Sequence, residues 1–506
     1  MPSKSAAATT DRHRRPRGSL SRDEILRGAL FILEHEGLDG LSMPALAKQL
    51  GAGVTSIYWY FRTKDDLLAA VAENVTNAVA QQLPMIGEGP WDEELVRYFV
   101  AYRRIMHTRP VYREVMVYHP AMFRRYVMTA TLPQIETALK MLVNTGLSPI
   151  QASDSFAACT DFARGFISIE HSRDVEPVET DDTLPSSVLN DYSSLTPAQK
   201  IAAIYGLDDQ TYEAGIRILV DGIRAEGTRA KSTRRRPVSP SPSTSATFNR
   251  ALQEPPVPVP PPPKRKTRRP RGSLSREEIL TVAEQLIESS GLRALSMPIL
   301  AKQLGAGVTS IYWYFRSKDD LLVALAERVT ARLYEEMPAG DDDEPWDQML
   351  QRFFTAYRAE LQRSPVYLEL AMIRPRFVFS QPGILPLVTG TIDRQVTSLG
   401  RAGLTPLQAA RVYQTCSTYT LSFAMLAHGF DDGGYDSEFR AGINRAEFPV
   451  FAELANTKGG LSKGERQFQA GIRMLVDGTA AIIEHKAKAP AKGKARAAVT
   501  SKRRKA

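Results

Sequence analysis

Apolar positions along this chain recur at three- and four-residue steps, and period-two alternation is scarce. The pattern therefore predicts helices throughout and requires no sheet. A first helix opens at Ser21-Arg-Asp-Glu24, a hydroxyl followed three residues on by a carboxylate, and the same capping box returns as Ser275-Arg-Glu-Glu278. Behind it Ile25, Leu26, Ala29, Ile32 and Leu33 form one apolar face, matched by Ile279, Leu280, Ala283, Leu286 and Ile287. Leu30 and Phe31 become Glu284 and Gln285, which assigns that side of the helix to solvent. Ser42 and Ser296 are placed to cap a second helix, with Pro44 and Pro298 tolerated in its first turn. Gly51-Ala-Gly53 supplies a sharp turn into a short polar-aromatic helix over 54–61, and Thr63-Lys-Asp-Asp66 caps a fourth.

The second to fourth of these helices repeat almost letter for letter. The 28 residues Leu41 to Leu68 return as Leu295 to Leu322, 254 positions on, changed only at Ala45/Ile299 and Thr63/Ser317. Helix, glycine turn and second short helix are the arrangement of a major-groove reader. A capped helix pair with aromatic residues is often only packing, but packing tolerates volume-conserving swaps, and the first helix shows several. Near-identity confined to the reading segment points to a constraint outside the protein.

Beyond Ala80 and Glu335 the copies drift. Trp91 still pairs with Trp346, Tyr102 with Tyr357, Pro110-Val-Tyr112 with Pro365-Val-Tyr367, and Gly146-Leu-Ser-Pro149 with Gly403-Leu-Thr-Pro406. Ala214-Gly-Ile-Arg-Ile-Leu-Val-Asp-Gly222 returns as Ala470-Gly-Ile-Arg-Met-Leu-Val-Asp-Gly478. Acidic or glycine-rich loops, roughly Ser172 to Asp208 and Gly429 to Lys463, precede each last helix. A Ser/Thr/Pro-rich stretch containing Pro255 to Pro263 separates the copies and cannot bury enough apolar surface to fold. The organisation expected is a disordered basic arm (1–17), a first reader (18–80) with its helical body (81–227), a disordered linker (228–271), a second reader (272–334) with its body (335–485), and a disordered tail (486–506).

The net charge of +9 conceals a strong asymmetry: arm, linker and tail together carry 24 net positive charges, leaving the rest acidic. Positive charge gathered in arms suits a partner bearing phosphate, double-stranded DNA above all. Arg14, Arg15 and Arg17 lead into the first reader within Arg14-Arg-Pro-Arg-Gly-Ser-Leu-Ser-Arg22, and Arg268, Arg269 and Arg271 lead into the second within an identical run. They read as minor-groove or phosphate-tracking arms. Two cysteines give no disulfide framework, and Cys159 and Cys416 at matching places read as buried small hydrophobes. Seven histidines show no ligand spacing, so no metal or cofactor is expected, and no nucleophile elbow, phosphate loop or paired catalytic carboxylate suggests an enzyme. No apolar run reaches the ~18 residues that cross a bilayer, so a cytoplasmic, nucleoid-associated protein without a membrane partner is expected.

The duplicated run from Gly51 to Leu67, with its glycine turn, aromatic stretch and lysine-led helix start, resembles the TetR (tetracycline-repressor-like) family of transcriptional regulators. The Gly-Leu-Ser/Thr-Pro starts and closing Gly-Ile-Arg-x-Leu-Val-Asp-Gly are similar to that family's regulatory domain. The resemblance implies an all-α chain of two units, each a three-helix helix-turn-helix domain with a helical regulatory domain. It implies that Val54, Thr55 and Ser56 face base edges, that Tyr58, Tyr60 and Lys64 bond phosphates, and that Ser42 and Pro44 sit at the groove edge. Their copies are Val308, Thr309, Ser310, Tyr312, Tyr314, Lys318, Ser296 and Pro298. A helix N-terminus with small hydroxyls and phenols suits a groove on physical grounds as well. Ile57 and Phe61 should point inward; Trp59 is open between core and groove.

Family members of ordinary length dimerise through their last helices, so here the two halves should dock within one chain as an intramolecular pseudo-dimer. A linker of about 44 residues averages roughly 35–40 Å end to end, against about 34–36 Å between half-sites one turn apart. The function expected is a ligand-responsive repressor on a quasi-palindromic operator. Its small-molecule effector, of unknown identity, would be lined by aromatics such as Tyr102, Tyr112, Phe162, Tyr357, Tyr367 and Tyr419, each of which could equally be core. The alternative is an architectural protein coating DNA without regard to sequence.

Overall fold

The computed structural model describes residues 20–175 (apart from 88 and 119), 208–234, 274–338, 343–373, 385–428 and 442–488 (apart from 458, 462 and 463), and among these every regular element is helical. The arm arginines Arg14, Arg15, Arg17, Arg268, Arg269 and Arg271 lie outside the described residues, as do most of the linker and tail.

In the first repeat α1 (Arg22–Gly40), α2 (Met43–Leu50), α3 (Val54–Tyr58) and α4 (Lys64–Gln82) form the reader. Both residues of the Ser21/Glu24 capping box are engaged, and Gly37 (φ 67°) breaks α1 just before its end. α5 (Trp91–Thr108), α6 (Pro110–Arg113), a π-wound turn (Glu114–Tyr118), α7 (Pro120–Asn144), α8 (Pro149–Val175) and α9 (Asp209–Arg234) follow. The second repeat runs α10 (Arg276–Ser290), a 3-10 turn (Leu292–Ala294), α11 (Met297–Leu304), α12 (Val308–Tyr312) and α13 (Lys318–Glu335), then α14 (Trp346–Arg363), α15 (Pro365–Ile373), α16 (Leu385–Arg401), α17 (Pro406–His428), α18 (Pro449–Asn456) and α19 (Glu465–Lys488).

The described residues divide into two compact units that do not follow the repeat boundary: those within 20–144, 148–168 and 426–467 in one, and those within 145–147, 169–425 and 468–488 in the other. In the first unit α4 packs along α7, and Gln134 Nε2 donates to the Ala80 carbonyl at 2.8 Å. The Glu136 carboxylate of α7 accepts from the amides of Val450 and Phe451 at 3.0 and 2.9 Å, capping α18 of the second repeat. Arg466 pairs with Asp154 in the same unit. In the second unit α9 lies against α19 so closely that a Cβ on Gly222 would stand 1.9 Å from the Met474 carbonyl oxygen, and one on Gly478 1.9 Å from that of Ile218. Glycine there is a requirement of helix contact.

Four expectations need correction. The Leu30/Glu284 position is not solvent-facing: Leu30 is 9% exposed and Glu284 8%. Glu284 is held by Arg332 and by Arg328 at 3.5 Å, where the first repeat has Ala78 and Asn74, so charge replaces apolar contact at one buried site. The helices outrun the segments assigned to linker and tail, α9 reaching Arg234 and α19 Lys488, because Ala, Lys and Arg propagate a helix once it is packed. Pro449–Asn456 forms a helix in a stretch read as loop, started by its proline and capped by Glu136 from far away in sequence. The reading helix, expected over 54–61, ends at Tyr58, since Tyr60 and Phe61 both bond the Ile57 carbonyl and tighten the chain into a turn.

Candidate nucleic-acid interface

Each reading surface is built by local chemistry that the two copies share. The Ser42 hydroxyl accepts from the Ala45 amide at 3.2 Å and Ser296 from Ile299 at 3.4 Å, so both serines cap α2 and α11, with Pro44 and Pro298 exposed beside them. Gly51 and Gly305 end those helices in the left-handed region, at φ 62° and 63°. The Ala52 and Ala306 amides reach back to the carbonyls of Ala47 and Ala301, both at 3.0 Å, closing the turn. The second glycine of each turn is different. Gly53 sits at φ −78°, open to any residue, and a Cβ there would meet nothing nearer than Ser56 Oγ at 3.9 Å. Nothing inside the protein requires it to be glycine.

Ile57 and Phe61 are buried, as are Ile311 and Phe315, and they fix the rotation of the short helix. That rotation turns Thr55, Tyr58, Trp59 and Tyr60 outward, with Val54 and Ser56 half-buried. In the second copy Thr309, Ser310, Tyr312, Trp313 and Tyr314 are exposed and Val308 is half-buried. Trp59 and Trp313 are each 85% exposed, which removes the core reading of this residue. A fully presented indole on a solvent face costs apolar hydration and contributes no packing, so its place is explained by something that covers it.

Tyr60 departs from the role assigned to it. Its hydroxyl donates to the Leu20 carbonyl at 2.5 Å, and Tyr314 bonds Leu274 in the same way. Its single proton is thereby committed inside the protein, and its part is to pin the start of the reader to the reading helix. Arg22 lies 5.2 Å over the Phe61 ring and Arg276 5.3 Å over Phe315, reinforcing the same joint. Tyr58 and Tyr312 remain 46% exposed.

Lys64 and Lys318 occupy the first position of α4 and α13, behind the Thr63 and Ser317 caps. A cation there opposes the helix dipole, which Asp65, Asp66, Asp319 and Asp320 in the same turns offset. The lysine does nothing for its own helix and suits an outside anion. Lys48, Arg62, Lys302 and Arg316 are exposed as well, cations that sequence reasoning passed over although they lie inside the repeated segment.

The six aromatics expected around an effector are all buried. Tyr112 accepts from Gln82 Nε2 at 3.2 Å, Tyr357 and Tyr367 meet at 3.4 Å, Tyr419 donates to the Phe468 carbonyl at 3.3 Å, and Phe162 packs on Phe166 with centroids 5.9 Å apart. Tyr102 lies beside the Arg164 guanidinium. No described helix is long and apolar enough to cross a membrane.

The family described as bacterial regulatory proteins, tetR family, matches this chain twice, at residues 25–71 and 279–325. The chain is 37% identical over 161 residues to an HTH-type transcriptional repressor of Mycobacterium tuberculosis, covering 31% of this chain and 60% of that protein, so it spans about three fifths of that relative. It is 30% identical over 175 residues to an uncharacterised HTH-type transcriptional regulator of the same species, covering 34% of this chain and 79% of the other. Against the tetracycline repressor protein class A from transposon 1721 of Escherichia coli the identity is 28% over 216 residues, 40% of this chain and 90% of that protein. A single relative thus corresponds to less than half of this chain. With the two matched segments falling on the two readers, the chain belongs to the tetR family of bacterial regulatory proteins, carrying that family's reader twice.

Proposed function

We propose that this chain is a sequence-selective DNA-binding regulator, an effector-controlled repressor that works as a single-chain pseudo-dimer on a quasi-palindromic site. Thr55, Tyr58, Trp59 and Lys64 meet the first half-site, and Thr309, Tyr312, Trp313 and Lys318 the second. Small hydroxyls and an indole address base edges and sugars, while phenol and ammonium take phosphates. Tyr60 and Tyr314 hold the entry strand of each reader in place.

The observation that carries the pseudo-dimer is reciprocity. Gly222 and Gly478 are equivalent positions of the two repeats, 256 residues apart, and so are Ile218 and Met474. Gly222 approaches Met474 while Gly478 approaches Ile218, each as closely as the other. Contact of i with j′ and of i′ with j is the signature of a two-fold, isologous interface, here made by one polypeptide. Arg229 adds an ion pair to Asp477 across the same helices. Tethering makes the interface intramolecular, so site occupancy should not fall on dilution as it does for separable protomers. The names of the relatives, repressors among them, support control of transcription as the outcome.

The test is footprinting and mobility shift of the intact chain on genomic fragments, with the mass of the complex measured. One chain per protected two-armed site is expected. Gly222→Leu with Gly478→Leu should separate the helices and weaken binding by about a hundredfold, the loss expected when two joined readers become two single ones. Two chains per site would sink the pseudo-dimer. Protection without sequence preference, vanishing steeply with salt, would favour an architectural coat driven by the basic segments.

A further inference from the structure

We propose that Ile299 makes the two readers unequal at one position: it packs on a thymine methyl at the groove edge of the half-site met by the second reader, so that the chain binds its operator in one orientation. This rests on the reading of the chain as a sequence-selective DNA binder and assigns the base chemistry that tells its two arms apart.

Two positions differ in the 28 residues that the readers share. One change is silent: Thr63 and Ser317 each accept from the amide three residues on, at 3.0 Å, so the helix start is the same with either hydroxyl. The other changes the surface. Ala45 is half-buried, while Ile299 in the same turn of α11 is 44% exposed. Beneath it nothing answers the change. Met297, Leu300 and Ala301 are buried as Met43, Leu46 and Ala47 are, and Ser296 caps as Ser42 does. An internal change, Gly28 to Val282, does fall against this helix, but on its leucine side. A Cβ on Gly28 would stand 2.9 Å from Leu50 Cδ2 and 3.0 Å from Leu46 Cδ1, against leucines that both copies keep.

Isoleucine is a poor choice for the fold alone, since a β-branched side chain loses rotamers in a helix and nearly half of this one faces water. A lone exposed apolar residue on an ordinary surface needs no explanation. This surface is constrained: the cap apart, its outward residues, Pro298, Lys302, Gln303, Thr309 and Trp313 among them, are the same in both copies. A face that keeps all of these does not exchange a methyl for a branched butyl group freely.

The place of the residue decides what it meets. In a helix pair of this kind the first helix crosses the DNA backbone at the edge of the groove that the second enters. Ile299 shares the outer side of α11 with exposed Lys302, three residues on, a cation suited to the phosphates bordering that groove. Among the groups that base edges present in the major groove, the apolar one is the thymine methyl. Alanine at the same place in the first reader is too short to cover it. A dimer of identical chains cannot carry such a difference, because its interface and its readers obey one symmetry. A duplicated chain can, and one substitution in one copy gives it a direction.

Duplexes recovered from a randomised pool by the full chain supply the probe, and each thymine of the recovered site is then replaced by deoxyuridine, which lacks only the methyl. At one thymine of one arm the exchange is expected to weaken binding by about fourfold, the worth of one buried methyl, with no loss at the mirrored position. Ile299→Ala installs the residue that the same helix carries in the first copy, so the fold is kept. It should bring the thymine site down to the affinity of the deoxyuridine site and abolish the sensitivity. Ala45→Ile should create a second sensitive position, so that a duplex with the thymine in both arms gains about fourfold. Two equally sensitive arms, no sensitive thymine, or a sensitivity that survives Ile299→Ala would each overturn the proposal and leave sequence-selective binding standing. A pool that returns no preferred sequence would overturn that reading, and the role of Ile299 with it.

Discussion

The two readers and the seams joining each reader to its body have diverged by different amounts. In the readers the turn glycines agree within a degree in φ, the tyrosine-to-carbonyl pins recur, and the indoles are equally exposed. In the first seam Glu34 pairs with Arg109 at 2.5 Å, and Arg109 lies 5.5 Å over the Tyr112 ring. In the second, Ser364 stands at the place of Arg109. The joint there is made instead by Glu369, which accepts from the Leu292 amide at 2.5 Å, and inside the reader the buried position of Leu30 is taken by Glu284 with Arg328 and Arg332. An internal seam needs only that volumes fill and charges meet, so both sides can change together. An outward face has no partner in the chain to change with it. Its sameness in two copies therefore measures a constraint imposed from outside, which is why the readers, and not the seams, mark the interface.

The sharpest way to break this comparison is to exchange internal contacts between the copies. Leu30→Glu buries a carboxylate opposite Ala78 and Asn74, where no arginine waits, and should cost about 3 kcal/mol in urea unfolding. Glu284→Leu leaves Arg328 its contacts with Glu277 and Thr281 and Arg332 with its side chain half in solvent, and should cost about 1 kcal/mol. Adding Asn74→Arg and Ala78→Arg to Leu30→Glu should recover most of the first loss. Equal costs for the two single changes would mean that these internal contacts are not compensated units.

The readers should behave in the opposite way, each as a copy of the other. Lys64→Ala or Lys318→Ala alone should weaken operator binding by about tenfold, and the pair by about a hundredfold, since well-separated phosphate contacts add in free energy. The salt dependence should flatten by about one charge for each lysine removed. Mobility shifts across a salt series read both quantities. Single variants differing by more than a few-fold would show that the half-sites are read unequally.

Much of this is legible in the sequence, and the reasons are local. Capping boxes, the glycine turn and helical periodicity act over a few residues, so Ser21/Glu24, Gly51 and Ile57/Phe61 could be placed from neighbours alone. What escaped depends on contacts remote in sequence. Leu30 is apolar and Glu284 charged, yet both are buried, because α4 and α13 present different residues to them. Tyr60 was given to phosphate because nothing near it in sequence announces the Leu20 carbonyl, 40 residues back. The capping of α18 by Glu136 spans more than 300 residues and leaves no periodic trace. Within the site, Trp59 could not be assigned because an indole serves core and groove equally well; only the rotation set by Ile57 decides.

A smaller effect tests the pin. Tyr60→Phe deletes one hydrogen bond to a backbone carbonyl at a partly exposed joint and should lower stability by about 1 kcal/mol, and Tyr314→Phe by the same amount. Because the hydroxyl is committed to the Leu20 carbonyl, the salt dependence of DNA binding should stay as it was. A flatter salt slope in Tyr60→Phe would return that residue to the phosphate contacts.

The least perturbing comparison uses the two cysteines, which sit at matching places in the two bodies. Both are buried. Burial, with the charge of Asp161 added, pushes the Cys159 thiol up to about 12, and burial raises Cys416 as well. A raised thiol pKa keeps the group neutral throughout the physiological range, so at pH 8 only about one molecule in ten thousand carries the reactive thiolate at Cys159. Iodoacetamide should therefore leave both residues unmodified for hours in the native chain and label both in urea, as peptide mass spectrometry would report. The informative quantity is the ratio of the slow native rates. Alkylation needs the local structure to open, and a body whose phenols are mutually bonded, as Tyr357 is with Tyr367, opens less readily. Cys159 should then be modified ahead of Cys416. Equal rates would mean that the two bodies open together and that their difference in pairing has no dynamic consequence.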